Sequence, residues 1–441
     1  MTVRKYPTKP IEVWPRMKEL RRMHFRNTWD AHDRSEVVIQ GLVEQFLAYF
    51  AGMGDFANPS FGPYFTTLMR DHQAGIRVHE AAEAAGYGSN CCTAMRCHLG
   101  QMLQGLSSKN PKGGTMKADM VFQFSNCPAI SKMAQIFAEH MDIPHFIIDM
   151  PYSDTPESRD YLVSMMQEGI EWMEKITGRR YDDQKLFQAL KNEWDAGWYL
   201  AKVYEANKAI PAPFDYRQLW SLRLPSVIMR HKNETVQFYR DLLAEAEERV
   251  KQGISAHGVE LCRLTHEGLP PFYNMNIFRY PVRYGAVVVA GMEVFASFAV
   301  WRRLEDGTWR AAPTWDELLG ELRIEELRTR EDALRVMAEE HIRYLPNGSY
   351  PYDKPAQYVK RVEDWKAGGV IFHLDRGCRG ASCGLMEGRL AVSQAGIPNV
   401  TYEASQADCR DYDEAQITDR LDSFLESLGL DRTEISAESP G

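Results

Sequence analysis

The spacing of apolar and polar positions changes character about a quarter of the way along the chain. In the first hundred or so residues, apolar positions recur at helical spacing over 12–25, 35–51 and 74–85, interrupted by turn-forming stretches such as GMGDFANPSFGP. The segment SSKNPKGGTMKAD is dense in turn formers and reads as a boundary. Beyond it, MVFQFS (120–125) is a short apolar run of strand length. Ile130, Met133, Ala134, Phe137, Ala138 and Met141 then share one helical face, and HFIIDMP (145–151) is a second strand. Strand, helix and strand at this spacing predict a parallel βαβ unit.

Long charged helices are expected over 157–176, 183–208 and 231–253. A second alternation starts near residue 257: YGAVVVAG (284–291), GGVIFHLD (368–375) and IPNVTYEA (397–404) read as buried strands, with a helix from Ser382 to Ala395. The polar tail after Asp431 is expected to fray. The reading is an α/β chain with two doubly wound (Rossmann- or flavodoxin-like) parallel-sheet domains. Residues 1–112 form a helical N-terminal segment, 113–255 the first α/β domain with its long helices, and 256–441 the second.

Composition narrows the function. With 44% hydrophobic and 26% charged residues, the chain has ample material for buried cores. Its net charge of -9 carries no basic face, which argues against binding nucleic acid. The charged, proline-broken N-terminus lacks the apolar core of a secretory signal, and no stretch approaches the length of a membrane span. A cytoplasmic location is the expectation. Eight cysteines in such a chain are then expected to be free thiols or metal ligands rather than disulfides.

Two of the eight stand where ligands bind in open α/β sheets, at strand-to-helix turns beyond the carboxyl ends of strands. Cys127 follows MVFQFS, and Cys378 follows VIFHLD. A position near a helix N-terminus favours a thiolate. The block GSNCCTAMRCHLG adds Cys91, Cys92 and Cys97. Thiolates gathered from such distant points suit a discontinuous iron–sulfur site, since no ferredoxin-type C-x2-C-x2-C run is present. Two other readings stay open on spacing alone. The cysteines could be buried thiols, as expected for Cys262 and Cys409, or four thiolates could close a zinc site in a non-catalytic scaffold.

At these cysteines the sequence resembles the benzoyl-CoA reductase and 2-hydroxyacyl-CoA dehydratase family. CCTAMRCHLG is similar to the first ligand motif, and the match selects Cys92 rather than Cys91. FSNCPAISKMAQIFAEHMDIPHFIIDMPY is similar to the second, with Cys127 as ligand. DRGCRGASCGLMEGRLAVSQAGIPNVTYEA resembles the third, with Cys378. Glu403 and the closing helix with Gln416 and Arg420 also fit, while residues 1–80 and 150–255 match loosely.

The resemblance implies a 4Fe-4S cluster held by Cys92, Cys127 and Cys378, either alone or as part of a double cubane. Cys91, Cys97 and Cys383 are extra thiols, either additional ligands or neighbours of the site. It also implies a paralogous iron–sulfur subunit, an acyl-CoA substrate, an upstream low-potential ferredoxin, and a separate ATP-hydrolysing 4Fe-4S activator. The last agrees with the absence of a G-x4-G-K-[ST] phosphate loop in this sequence.

Two reactions are open. One is ATP-dependent reduction of the ring of benzoyl-CoA to a cyclic diene, and the other is radical elimination of water from a 2-hydroxyacyl-CoA. The opening KYPTKPIEVW…MKELRR and the segment RLTHEGLPPFYNM (263–275) resemble the reductase subunits more. Candidate proton donors are His98 and His373, with Glu403 at a strand's carboxyl end. Arg96 and Arg379 adjoin ligand positions and could lower thiolate pKa values or pair elsewhere. FYNMNIFRYPVRY (272–284) reads as core or as the wall of an apolar channel.

Overall fold

The computed structural model describes residues 4–59, 71–105, 117–125, 127–292, 298–305, 307–344 and 354–432. The boundary expected at 112 and nearly all of the tail after Asp431 lie outside them. Among the described residues, two four-stranded parallel sheets organise the chain. The first contains β1 (Val37–Gln40), β2 (Phe56–Ala57), β3 (Met120–Ser125) and β4 (His145–Asp149), in the order β2-β1-β3-β4. The second contains β5 (Cys262–Glu267), β6 (Ala286–Gly291), β9 (Gly369–Asp375) and β10 (Asn399–Ala404), in the order β10-β9-β5-β6. An antiparallel hairpin, β7 (Trp301–Arg303) with β8 (Trp309–Ala311), stands apart from both.

In the first sheet the chain order across the strands is second, first, third, fourth, and the second sheet, read from its other edge, shows the same order for all four strands. Each has a junction between its first and third strands, where successive connections leave in opposite directions and a crevice opens. In the first sheet the crevice lies between β1 and β3, and in the second between β5 and β9. Each crevice is pinned by a glycine that brings two backbones together. Gly41, just past β1, has φ +150°, and a Cβ there would fall 1.9 Å from the Phe122 carbonyl oxygen. Gly268, just past β5, has φ +97°, and its Cβ would fall 2.3 Å from the His373 carbonyl oxygen. Phe122 and His373 each precede their domain's ligand-candidate cysteine by five positions.

The long helices arise as the pattern predicts. Helices α6 (Pro156–Thr177), α7 (Asp183–Ala206) and α10 (Asn233–Gln252) stay within a few residues of the expected ranges. Thr155 and Asp182 cap the first two by accepting backbone N–H groups in the first turn. The first sheet is packed on one face by α6 and α7 through Leu162, Met166, Ile170, Leu186 and Leu190. Its other face meets α5 (Pro128–Met141) through Met133, Ala134 and Phe137. The second sheet is covered by a large core on one face and by α13 (Lys354–Asp364) and α15 (Leu385–Gln394) on the other.

Two expectations are corrected. Residues 35–51 do not form one helix. Val37, Val38 and Ile39 make β1, and the helical part is a 3-10 turn at Glu44–Phe46 followed by α2 (Leu47–Ala51). A run of β-branched residues buried on both faces is a parallel strand, and periodicity alone does not separate it from a buried helix. The N-terminal segment is thus helical in α1 (Trp14–Trp29), α3 (His72–Ala84) and α4 (Thr93–Leu103), yet it also lends β1 and β2 to the first sheet.

The apolar pattern does not predict strand β5, because CRLTHE carries buried charge. Arg263 is satisfied by the carbonyls of Trp365, Ala209 and Asn207, and Glu267 pairs with Arg361. The aromatic stretch 272–284 is largely buried, with Met275–Tyr284 forming 3-10 turns beneath the second sheet's core.

The glycine contacts make a direct prediction. Gly41→Ala and Gly268→Ala should each cost about 2–4 kcal/mol in urea denaturation, from backbone collision added to positive φ. Gly380→Ala, where a Cβ meets nothing within 4 Å, should stay within about 0.5 kcal/mol of the parent.

Candidate metal centre

Cys127 is the N-cap of α5, two residues past β3, at the first sheet's crevice. Cys378 is the N-cap of the short helix α14 (Arg379–Ser382), three residues past β9, at the second. Cys92 is the N-cap of α4. All three expected ligands therefore precede a first helical turn, whose free N–H groups stabilise negative charge on sulfur. The Ala381 N–H reaches Cys378 Sγ at 3.4 Å, and the Met95 and Ala94 amides favour a Cys92 thiolate.

Helix α4 draws the three together. The Thr93 N–H donates to the Gly377 carbonyl at 3.2 Å, and Ser405 Oγ donates to Thr93 Oγ1 at 3.0 Å. Cys92 is thereby held beside the Gly377–Cys378 turn of the second domain. On its other side, α4 packs Met95 and Leu99 against Met133, Ala134 and Phe137 of α5, the helix that Cys127 caps. Cys92 feels the charge of Cys127, and Cys378 feels the charge of both other cysteines. Burial pushes both thiols up, Cys378 to about 12, with Asp375 adding to the rise in each. Among the described residues, no three His, Cys, Asp or Glu side chains close around a single metal ion.

Asp375, which the sequence pattern does not single out, shapes the Cys378 turn. Its Oδ1 accepts the Gly377 N–H at 2.7 Å and the Gln406 N–H at 3.1 Å. Among the described residues, its buried Oδ2 has no hydrogen-bond partner. Burial raises its pKa to about 7, against the lowering effect of the Gly377, Gln406 and Cys378 N–H groups. The signal in the sequence is its place as the last residue of β9, at the mouth of the crevice.

Arg96 is ion-paired and buried, 2% exposed at its side chain. Its Nη1 donates to Glu83 Oε1 at 2.5 Å and its Nη2 to Asp408 Oδ2 at 3.2 Å, while Arg410 bonds both acids from outside. His79 of α3 adds a contact to the Ala407 carbonyl at 2.9 Å. This clamp bolts α3 and α4 to the loop after β10. Arg379 is exposed beside Cys378.

The remaining candidates are dispersed. His98 is buried edge-on to Phe137, and burial lowers its pKa to about 4. His373 lies within β9, hydrogen-bonded through Nδ1 to Leu269 and stacked on Tyr402 at 4.6 Å, and burial again lowers it to about 4. Glu403 is held at the surface by Arg376, at 2.7 and 3.0 Å. Cys97 is fully buried, and desolvation raises its thiol far above the usual range. Cys91 is half-buried and Cys383 exposed. Cys262 and Cys409 face the carbonyls of Arg263 and His72.

The clamp is testable without a metal. Arg96→Leu leaves Asp408 buried with only Arg410 to compensate it, and should lower stability by about 3 kcal/mol in urea denaturation. Arg376→Ala, which removes an exposed ion pair, should change it by less than about 1 kcal/mol.

No helix among the described residues is long and apolar enough to cross a membrane. The family model described as 2-hydroxyglutaryl-CoA dehydratase, D-component, matches residues 67–428. The chain is 26% identical over 366 residues to the (R)-phenyllactyl-CoA dehydratase alpha subunit of Clostridium sporogenes, covering 80% of this chain and 81% of that one. It is 24% identical over 381 residues to a benzoyl-CoA reductase subunit of Thauera aromatica, covering 83% and 82%. It is 23% identical over 436 residues to the alpha subunit of lactoyl-CoA dehydratase of Anaerotignum propionicum, covering 88% and 97%. With its three motif cysteines on three helix N-caps and a family match spanning most of its length, the chain belongs to the 2-hydroxyglutaryl-CoA dehydratase D-component family, which brings together benzoyl-CoA reductase and 2-hydroxyacyl-CoA dehydratase subunits.

Proposed function

We propose that this chain is the iron–sulfur subunit of an ATP-driven acyl-CoA enzyme, with its cluster held by Cys92, Cys127 and Cys378. The observation that carries the reading is that three cysteines from separate parts of the chain each cap a helix, Cys127 and Cys378 just past the third strands of the two sheets and Cys92 near enough to feel the charge of Cys127. Thiols spread over three helix ends suit a multi-iron cluster better than one zinc ion, which needs its ligands within a single tight shell. A bound cluster would supply low-potential one-electron transfer.

The chain's own contribution is positional and electrostatic. First-turn amides stabilise negative sulfur, the apolar packing of α4 on α5 holds Cys92 and Cys127 on adjoining helices, and the Arg96–Asp408 clamp fixes α4 to the loop after β10. Asp375 holds the Cys378 turn and keeps one carboxyl oxygen free in the crevice.

ATP hydrolysis belongs to a partner activator in this reading, because the sequence has no phosphate loop. A paralogous subunit completes the enzyme, in keeping with relatives that are themselves named as subunits. Reduction of an aromatic acyl-CoA is the first reading of the reaction, supported by the reductase-like segments at the N-terminus and at 263–275. Elimination of water from a 2-hydroxyacyl-CoA is the second, favoured by the dehydratase relatives.

Anaerobically purified protein should contain iron and acid-labile sulfide. Cys92→Ser, Cys127→Ser and Cys378→Ser should each lose most of both, whereas Cys262→Ser retains them. A colourless protein holding zinc and no labile sulfide would overturn the cluster, and equal bleaching by Cys262→Ser would overturn the ligand assignment. With partner subunit and activator present, ATP-dependent oxidation of reduced viologen by benzoyl-CoA marks the reductase. Dehydration of a 2-hydroxyacyl-CoA in its place marks the second reading.

A further inference from the structure

Three carboxylates around the cysteine site are matched with arginines. Asp408 and Glu83 are each bonded by Arg96 and Arg410, and Glu403 by Arg376. Asp375 is different. It is 3% exposed, and among the described residues no cation pairs with it. Two arginines lie within four positions of it in the chain, yet Arg376 turns to Glu403 and Arg379 is exposed. A carboxylate taken out of water without a cation is costly to keep, so its isolation near the thiols calls for a role.

Main-chain groups, not opposite charge, set where Asp375 sits. Its Oδ1 accepts the Gly377 N–H at 2.7 Å and the Gln406 N–H at 3.1 Å, and Ser382 Oγ donates to its carbonyl at 2.8 Å. The Arg376 N–H donates to the Ala404 carbonyl at 2.8 Å, which ties the loops after β9 and β10 together beside the carboxylate. Gly377 then receives the first turn of α4. Its carbonyl accepts the Thr93 N–H, and a Cβ on it would fall 2.1 Å from Thr93 Oγ1 and 2.6 Å from Ser405 Oγ. One anchored turn therefore fixes Asp375 relative to Cys378, three residues on, and to Cys92, the residue before Thr93. Burial is the larger cause of the upward shift of both thiols, and the Asp375 charge adds to it in each, so the carboxylate is within electrostatic reach of both. The first-turn amides act in the opposite sense, through the Met95 and Ala94 N–H groups on Cys92 and the Ala381 N–H on Cys378.

We propose that Asp375 sets the reduction potential of a cluster on Cys92, Cys127 and Cys378, its unpaired carboxylate holding that potential low. The proposal rests on the iron–sulfur reading of the three cysteines and concerns the charge around the cluster, not its ligands. An added electron makes a cluster more negative. A fixed negative charge nearby opposes reduction, whereas N–H dipoles aimed at sulfur favour it. The full charge outweighs the dipoles where no cation offsets it and little water reaches it. A unit charge at short range in a protein interior shifts a one-electron equilibrium by about tenfold or more. A thioester takes up an electron only from a strong reductant, so the lower potential makes the reduced chain a better donor.

Asp375→Asn separates the two oxygens' roles, because it keeps an acceptor for the Gly377 and Gln406 N–H groups and removes the charge. Asp375→Glu keeps the charge. The anaerobically purified full-length chain and its variants are reduced stepwise in the presence of redox dyes, and the reduced cluster is followed by electron paramagnetic resonance. The titrations are run at pH 9, where the carboxyl, raised by burial to about 7, is ionised. Asp375→Asn should favour the reduced cluster at least tenfold, an upward shift of about 59 mV for one electron, with iron and labile sulfide at the parent's level. Asp375→Glu should stay near the parent's potential, and so should Glu403→Gln, which removes an acid already matched by Arg376. An unchanged potential in Asp375→Asn overturns the proposal and leaves the cluster reading standing. An equal shift in Asp375→Glu overturns it as well, since packing rather than charge is then the cause. Loss of iron or of the urea transition in Asp375→Asn also overturns it, by making the residue necessary to hold the cluster or the fold. A parent without iron and labile sulfide overturns the cluster reading together with this proposal.

Discussion

Helix α4 is the constraint on which the arrangement depends. It belongs to neither sheet, yet it packs Met95 and Leu99 into the layer over the first sheet while its first turn is hydrogen-bonded to the second domain at Gly377 and Ser405. The two attachments differ in kind. The apolar one is worth about 2–3 kcal/mol for each large side chain fully buried and tolerates small shifts. The polar one, through Thr93, Arg96 and Asp408, is directional and sets distance. The apolar face thus fastens the helix, and the polar end decides where Cys92 sits relative to Cys378.

The two sheets solve the same problem twice. Each opens a crevice between its first and third strands, and each holds the crevice rim with a glycine whose missing Cβ lets one backbone approach the next strand's carbonyl. Each then places a cysteine two or three residues past the third strand, at the head of a helix. A site assembled from two such rims is accurate only if the domains keep their mutual position. That gives a physical reason for a third cysteine on the element that spans them.

How much of this is legible in the sequence follows from what each residue's surroundings demand. Cys127 and Cys378 can be read directly, because a cysteine between an apolar strand and a helix has one place to be. The long helices can be read because their apolar stripes are regular. Strand β1 passes for helix because VVIQ is apolar on both faces, and β5 escapes because Arg263, Thr265, His266 and Glu267 are buried there, the two charged ones with partners distant in sequence. Asp375 and Asp408 are out of reach for the same reason. A buried charge is recognisable only once its partner, or the lack of one, is visible in three dimensions.

The unpaired polar atoms also bear on where stability is given up. Among the described residues, Asp375 Oδ2 lies near the thiols without a hydrogen-bond partner. Each such atom costs about 1–3 kcal/mol relative to a satisfied one. The comparably buried Arg263, by contrast, spends its guanidinium on three carbonyls and Glu260. Unmet atoms occur elsewhere too, among the described residues at His79 Nδ1, Arg96 Nε and Tyr358 Oη, so it is the place beside the thiols, and not the unmet oxygen as such, that sets Asp375 apart.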